Sequence, residues 1–382
     1  VDNDELEFRT SLQIERDLPP TSAVVREMIK DWTTAEKHYR YISRASLEST
    51  EFPVRVDVSV VKASRGRGMT EAGLLEAPVA FEIEIEVLHD RVGVGTAYAT
   101  PPQLLAALRR VCTYVLQGIQ GTNYPVGRTE RAAVMAEYGQ LVGAKVGAGR
   151  NLGTWAFAGP SSVTLQVDNV APPNPVASIP NVRSDYTVTD KADGDRKLLY
   201  VDKRGRVFLI NTNMQAQFAG ATTSPKFAGT LLDGEHVARS REGRHLNLFA
   251  AFDVYWQGGD AGRDLPFYVR GDGDCRLTRL RRTLSAMTLA GPKGDVDTAS
   301  PLDVAAKNFE VTSERRTIFE CSQRILHRQR DGGFEYETDG LIFTPAALAV
   351  GAMRVGEPAT RPKKSAWGAS FKWKPPEQNT ID

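Results

Sequence analysis

The 382-residue chain has little cysteine, almost no net charge and no long apolar run. Cys112, Cys275 and Cys321 are odd in number and far apart, which excludes a disulfide framework or a zinc knuckle and fits a reducing compartment. Basic and acidic residues number 48 and 47, a formal charge of +1, so any nucleic-acid contact must come from local basic patches. No uninterrupted apolar stretch approaches the ~20 residues of a membrane span. The acidic start "VDNDELE" does not resemble a signal peptide, so an intracellular protein with no membrane partner is expected. Internal repeats and low-complexity tracts are absent as well.

What is present is length enough for two domains, each with its own core. In the first, the strand-like runs are "ELEFRTSL", "KHYRYISRASL", "VRVDVSVVK" and "AFEIEIEVL". "TSAVVREMIKDW" reads as a helix capped by Thr21 or Ser22, and "PPQLLAALRRVCTYVLQGI" and "TERAAVMAEYGQLVGA" as two more. The Gly-, Pro- and Asn-rich passage from Gly147 is the linker candidate, giving domains 1–146 and 147–382. Beyond Asp185 strands dominate, interrupted by the helical "DCRLTRLRRTLSAM" and by "SPLDVAAKNF".

In "VTDKADGDRKLL" a lysine, Lys191, stands at the end of a strand before the tight turn Ala192-Asp193-Gly194-Asp195, with Arg196 just after it. Downstream lie "TLLDGEHV", "FAAFDVYWQGG", "YETDGLIFTP" and "SFKWKPPEQNTID". Singly, each is an ordinary turn, buried strand or solvated strand face. Their order, Lys-x-Asp-Gly-x-Arg, Asp-Gly-Glu, an aromatic strand, Asp-Gly-Leu-Ile-Phe and Lys-x-Lys, resembles the motif set of the covalent nucleotidyltransferases. "LLDGE", "DGLIFTP" and "FKWKPPEQNTID" resemble the mRNA guanylyltransferase branch in particular.

The resemblance implies that Lys191 attacks the α-phosphate of GTP and carries GMP to the 5′ end of nascent RNA. A free lysine titrates near ~10.4, so such an amine needs burial and neighbouring positive charge, which a metal and Arg196 would supply. It further implies catalytic roles for Asp193, Lys372, Lys374 and Asp382, nucleotide-binding roles for Glu235 and Asp339, with Mg2+ or Mn2+ as cofactor, and a guanine sandwich of Phe252 and Ile342. Lys372 and Lys374, two apart, share a strand face. After "VFLIN", where relatives carry a basic residue, this chain has Thr212 and Asn213.

In the first domain "FEIEIEV" sets Glu82, Glu84 and Glu86 in one row, and "ELEFR" does the same for Glu5, Glu7 and Arg9. Two rows of carboxylates repel unless a divalent cation lies between them. The pair resembles the triphosphate tunnel metalloenzymes, which implies a metal on Glu5, Glu7, Glu82, Glu84 and Glu86, and a phosphate-binding wall from Arg9, Arg40, Arg44 and Arg55. Lys62 falls on the opposite face from Arg55. The implied reaction is removal of the RNA γ-phosphate.

The expected fold class is thus α+β, an N-terminal antiparallel β tunnel followed by a nucleotidyltransferase domain of antiparallel sheets with flanking helices. Closing a tunnel takes about eight strands and four or five are legible, so either strands are hidden or residues are missing. As the resembling enzymes continue past "NTID" into an OB-fold, a fragment of a longer viral-type capping enzyme is expected, lacking an OB-fold and methyltransferase. RNA polymerase and a methyltransferase domain or subunit are the protein partners this suggests, in a virion or host cytoplasm. Two alternatives stand beside it: an ATP-dependent polynucleotide ligase-like adenylyltransferase, and a catalytically silent RNA-end-binding subunit.

Overall fold

Two short strands, β1 (Asp2–Asn3) and β2 (Phe8–Arg9), open the chain as a hairpin. Helix α1 (Ala23–Lys30) follows, and its cap Ser22 accepts the backbone N–H of Val25. The structure is a computed structural model and describes residues 1–13, 15–144, 151–173, 179–293 and 299–378. Period-two alternation then gives β3 (Lys37–Glu48), β4 (Val54–Gly66) and β5 (Val79–Val87), an antiparallel three-stranded sheet. Helix α2 (Pro101–Gln120) ends the first of two compact units, Val1–Gln120.

"ELEFR" does not form the expected continuous strand; only its Phe8 and Arg9 do. Glu5 and Glu7 lie in the β1–β2 turn, where Glu7 has φ 57° and the Leu6 N–H bonds to Asn3 Oδ1 at 2.9 Å. An asparagine that satisfies the backbone three residues on stabilises a turn, and here it wins over a short run of strand-compatible residues. The described residues of this unit therefore form an open three-stranded sheet and a separate hairpin rather than a closed tunnel.

The second unit, Gly121–Asp382, starts with α3 (Arg128–Leu141). Its strands are β6 (Ser161–Thr164), β7 (Tyr186–Ala192), β8 (Asp195–Val201), β9 (Arg206–Asn211), β10 (Ala216–Thr222), β11 (Leu231–Arg239), β12 (His245–Gln257) and β13 (Asp260–Ala261). After α4 (Arg276–Ala286) come β14 (Asp303–Ala306), β15 (Glu310–Val311), α5 (Ile318–Arg330), β16 (Thr338–Pro345) and β17 (Ala366–Trp373). One sheet runs β10-β9-β8-β11-β12-β13 with β14 added on β12; the other runs β15-β7-β16-β17-β6.

"SPLDVAAKNF", read as an interruption, supplies β14, parallel to β12. The expected domain boundary at 146/147 lies outside the described residues; the compact units part earlier, after Gln120. The cause is α3, whose Val134, Tyr138 and Val142 pack into one core with Leu198, Phe208 and Phe218.

Candidate functional site

β7 and β8 were legible as two strands with a turn between them, but they belong to different sheets. The Asp193-Gly194 turn therefore carries the chain from one sheet to the other. Lys191, the penultimate residue of β7, sits where the sheets diverge. Its Nζ donates to Asp339 Oδ1 at 2.6 Å, and the Lys374 Nζ lies 2.8 Å from Asp339 Oδ2, so one carboxylate bridges two ammonium groups. Burial alone would raise the Asp339 pKa, but the hydrogen bonds and charges of Lys191 and Lys374 outweigh it and hold the carboxyl below its ordinary range.

Asp339 reaches both lysines because β16 is bulged. Thr338 pairs with Ala192 and Leu341 with Asp190, leaving an extra residue on β16. Gly340 has φ 145°, and a Cβ there would stand 2.0 Å from the Trp373 carbonyl oxygen. Farther along, Ile342 pairs with Thr189 on one side and Lys372 on the other. Cross-strand partners share a face, so Lys191, Ile342, Lys372 and Lys374 line the same side of the sheet.

The facing elements of the other sheet supply Arg196, Glu235 and Phe252. Arg196 and Glu235 are cross-strand partners on β8 and β11. The expected role of Arg196 as a source of positive field for Lys191 meets a competing partner, for its guanidinium is bidentate to the buried Asp233 at 3.0 and 2.5 Å. The hydroxyl of Tyr255 donates to the same carboxylate at 2.6 Å. Burial pushes the Glu235 carboxyl up to about 7, with the charges of Lys307, Arg196 and Lys191 opposing it. Phe252 is the extra residue of a second bulge, between Asp253 and Ala251, and its ring centroid lies 5.6 Å from the Arg196 guanidinium. Asp193 is exposed on the turn and its N–H donates to the Glu337 carbonyl at 2.9 Å. Thr212 and Asn213 form the β9–β10 turn, and Asp382 lies outside the described residues.

The sequence reading missed a buried network directly behind Lys191. Lys307 Nζ bonds to Asp190 Oδ2 at 3.0 Å and to the Asp190 carbonyl at 2.5 Å, while its backbone N–H bonds to the Ala251 carbonyl at 2.8 Å. Tyr336 donates to Asp190 Oδ2 at 3.1 Å. A chain of contacts thus links the neighbour of Phe252 to the neighbour of Lys191. A charge directly before the lysine motif, with a lysine among the apolar residues of "LDVAAKNF", was the available signal.

In the first unit the acidic row is matched by arginines. Glu84 takes Arg44 at 2.8 Å, Glu86 takes Arg55 at 2.5 Å, and Glu82 bonds to Arg40. Asp57, buried between them, takes Arg44 at 3.0 Å. A hydrogen bond from Ser46, then the charges of Arg55 and Arg44, hold it below the usual carboxylate range. Arg9 pairs with Asp2 at 2.6 Å in the separate hairpin and does not join this wall. Among the described residues no three or more His, Cys, Asp or Glu side chains come together as a metal site. The five-glutamate site therefore does not fit a metal. In the second unit Asp339 and Glu235 are the carboxylates available, matching in number the one or two that magnesium usually takes alongside substrate phosphates.

Residues 177–355 match the family described as mRNA capping enzyme, catalytic domain. The chain is 25% identical over 380 residues, 90% of its length, to a probable mRNA-capping enzyme of Acanthamoeba polyphaga mimivirus, and covers 29% of that protein. It is 23% identical over 204 residues, 52% of its length, to an mRNA-capping enzyme of Danio rerio, covering 30% of it. A solved chain named Pmar-Lig_Pre, at 14% identity and a TM-score of 0.24, overlaps 50% of this chain and 42% of its own, too loosely to carry an argument. The chain thus spans less than a third of the length of either curated relative. The segment that holds Lys191, Glu235, Phe252, Asp339 and Ile342 is, by its family match, similar to the catalytic domain of mRNA capping enzymes.

Proposed function

We propose that the second unit is a covalent mRNA guanylyltransferase. Lys191 Nζ attacks the α-phosphorus of GTP; the bond to pyrophosphate breaks, and the amine gives up a proton as the phosphoramidate forms. A β-phosphate oxygen of a diphosphate RNA end then attacks that phosphorus, the P–N bond breaks, Lys191 regains a proton, and the RNA carries GMP. The observation that carries this reading is the Lys191–Asp339–Lys374 bridge, whose Lys191 and Asp339 lie in the segment that matches the capping-enzyme catalytic domain. The Lys374 ammonium can be handed from the shared carboxylate to phosphate oxygens when a nucleotide arrives, with Lys372 on the same face, leaving Lys191 as the nucleophile. Phe252 and Ile342 would hold the two faces of the purine. Mg2+ or Mn2+, held by Asp339 and Glu235, would supply charge neutralisation at the phosphates.

Incubation with α-labelled GTP or ATP and a divalent ion, followed by denaturing electrophoresis, tests the reading. An acid-labile GMP adduct that disappears in Lys191→Ala is expected. Labelling by ATP alone would move the assignment to the ligase-like alternative, and no label from either nucleotide would leave the silent RNA-end-binding subunit.

For the first unit we propose binding of the 5′-triphosphate end of RNA and removal of its γ-phosphate, a water attacking the γ-phosphorus as its bond to the bridging oxygen breaks and the diphosphate end leaves. The row of Arg40, Arg44 and Arg55 on one sheet face supports it, since arginine forks suit phosphate oxygens. Phosphate release from triphosphate-ended RNA should fall ~100-fold in Arg44→Ala, the scale of losing one charge-stabilising contact. Absence of release from the unaltered chain sinks this half and leaves the lysine chemistry standing.

A further inference from the structure

Between Pro358 and Pro376 the sequence has five cations, Arg361, Lys363, Lys364, Lys372 and Lys374, and no carboxylate. Lys372 and Lys374 belong to the site already described. The other three precede β17 on an exposed loop, and none of them makes an ion pair among the described residues. Arg241 and Arg244 have a carboxylate partner, while exposed Arg281, Arg315 and Arg354 make no ion pair among the described residues, so what sets this loop apart is three cations between 361 and 364 with no carboxylate beside them.

Beside this loop stands Trp155, 52% exposed. The Lys364 N–H donates to the Trp155 carbonyl at 2.9 Å, and the Ser161 N–H to the Ser365 carbonyl at 2.7 Å, so the two segments run together. From Trp155 the chain dives inward. Phe157 is buried under the Arg196 guanidinium, 5.4 Å from its ring centroid, and the Arg196 Nη2 donates to the Pro160 carbonyl at 2.9 Å. Gly159 is required there, because a Cβ would stand 2.4 Å from Asp233 Oδ2.

Two rigid routes therefore join the patch to the nucleotide site. One is the five-residue step from Trp155 to Pro160, at most ~18 Å of chain. The other is β17 with the two residues before it, ~26 Å at most from Lys364 to Lys372 at ~3.3 Å per residue. An RNA whose 5′ end reacts at Lys191 must leave across the rim of the pocket. On this patch three cations with no ion pair among the described residues meet an exposed indole, the combination of phosphate contacts and a stacking face that holds single strands without reading their sequence.

We propose that Trp155, Arg361, Lys363 and Lys364 form a docking surface for the body of a single-stranded RNA, a few nucleotides behind the reacting 5′ end. The inference rests on the guanylyltransfer reading for its substrate.

The test measures binding of the full chain to a 20-nucleotide, unstructured, 5′-diphosphate RNA by fluorescence anisotropy across a salt series. Lys363→Glu with Lys364→Glu should weaken binding at least ~10-fold and flatten the log–log salt slope by ~1.4, two phosphate contacts at ~0.7 each. Trp155→Ala should weaken it about tenfold without changing the slope, and Trp155→Phe should retain most of the affinity. Thermal melting checks the fold, and the milder Lys363→Gln with Lys364→Gln pair must move affinity and slope in the same direction. Unchanged affinity and slope in the charge-reversed chain overturn the proposal. So does a polyglutamate peptide that displaces the RNA at equal charge and itself loses affinity in Trp155→Ala, since the surface would then serve an acidic protein. GMP labelling of the unaltered chain separates the two readings. Patch-dependent RNA binding without label keeps the surface and sinks guanylyl transfer; label with patch-independent RNA binding does the reverse.

Discussion

Lys307 and Asp190 form a buried ion pair, each side chain at most 4% exposed, so their energetics turn on what is left when one is removed. Pairing two such charges returns little net stability, whereas stranding one costs about 3–5 kcal/mol. Lys307→Met should therefore destabilise the second unit by about that much, and Asp190→Asn with Lys307→Met by clearly less, as read from urea denaturation of the four members of a double-mutant cycle. Two single changes that each cost under ~1 kcal/mol, the scale of an exposed pair, would contradict the buried geometry.

Glu235 yields a pH prediction at the same scale. Its carboxyl moves from an ordinary 4.5 to about 7, so between those values the folded chain holds a proton that the unfolded chain has released. Stability then falls as pH rises through that window, by linkage. A plot of melting temperature against pH from 4.5 to 8 should slope downward more steeply in the unaltered chain than in Glu235→Gln. Parallel curves would mean that burial does not raise this group.

At the scale of elements, two bulges do what regular strands could not: one turns Asp339 toward both lysines, the other sets Phe252 beside Arg196. Gly340→Ala tests the first. Its φ of 145° and the carbonyl 2.0 Å from the added Cβ leave backbone as the only thing that can move. A cost of about 1–3 kcal/mol is expected from the strain, and GMP labelling should drop with it because Asp339 shifts from the lysines. Normal labelling at normal stability would show that the bulge is not what aims Asp339.

The long strands β3, β4 and β5 were legible because period-two alternation persists over many residues, and the shorter, buried β7 and β8 because apolar runs flank a tight turn. Helix α5 was legible in principle, since its capping box joins Thr317 to Glu320, but its apolar stripe is interrupted by charge. The β1–β2 hairpin was not, because a single Asx contact from Asn3 decides it. Of the site, the side chains that strand parity places were legible: Lys191, Lys372 and Lys374. What parity cannot show is which partner a cation takes once the chain folds, so the Arg196–Asp233 pair was invisible and the Lys307–Asp190 pair showed only as two charges set in apolar runs.

At the scale of the molecule, the Gly- and Pro-rich passage after residue 146 suggested a boundary by composition alone, yet composition reports only where a chain can bend. Where a unit ends is settled by what its core needs. Tyr138 on α3 is fully buried; its hydroxyl donates to the Ala156 carbonyl at 2.7 Å and accepts the Ala158 N–H at 3.1 Å, pinning the segment that leads to Arg196. Val134 and Val142 fill the same core against β8, β9 and β10. Deleting one large buried side chain costs about 2–5 kcal/mol, and a domain's whole stability is about 5–15 kcal/mol. Loss of all three with their helix reaches the scale of the unit's whole stability. A chain starting at residue 121 should therefore unfold cooperatively in urea and label with GMP, whereas one starting at residue 151 should show exposed apolar surface, no sharp transition and no label. If the shorter chain melts as sharply as the longer one, α3 is an ornament of the second unit and the boundary read from composition was the better one.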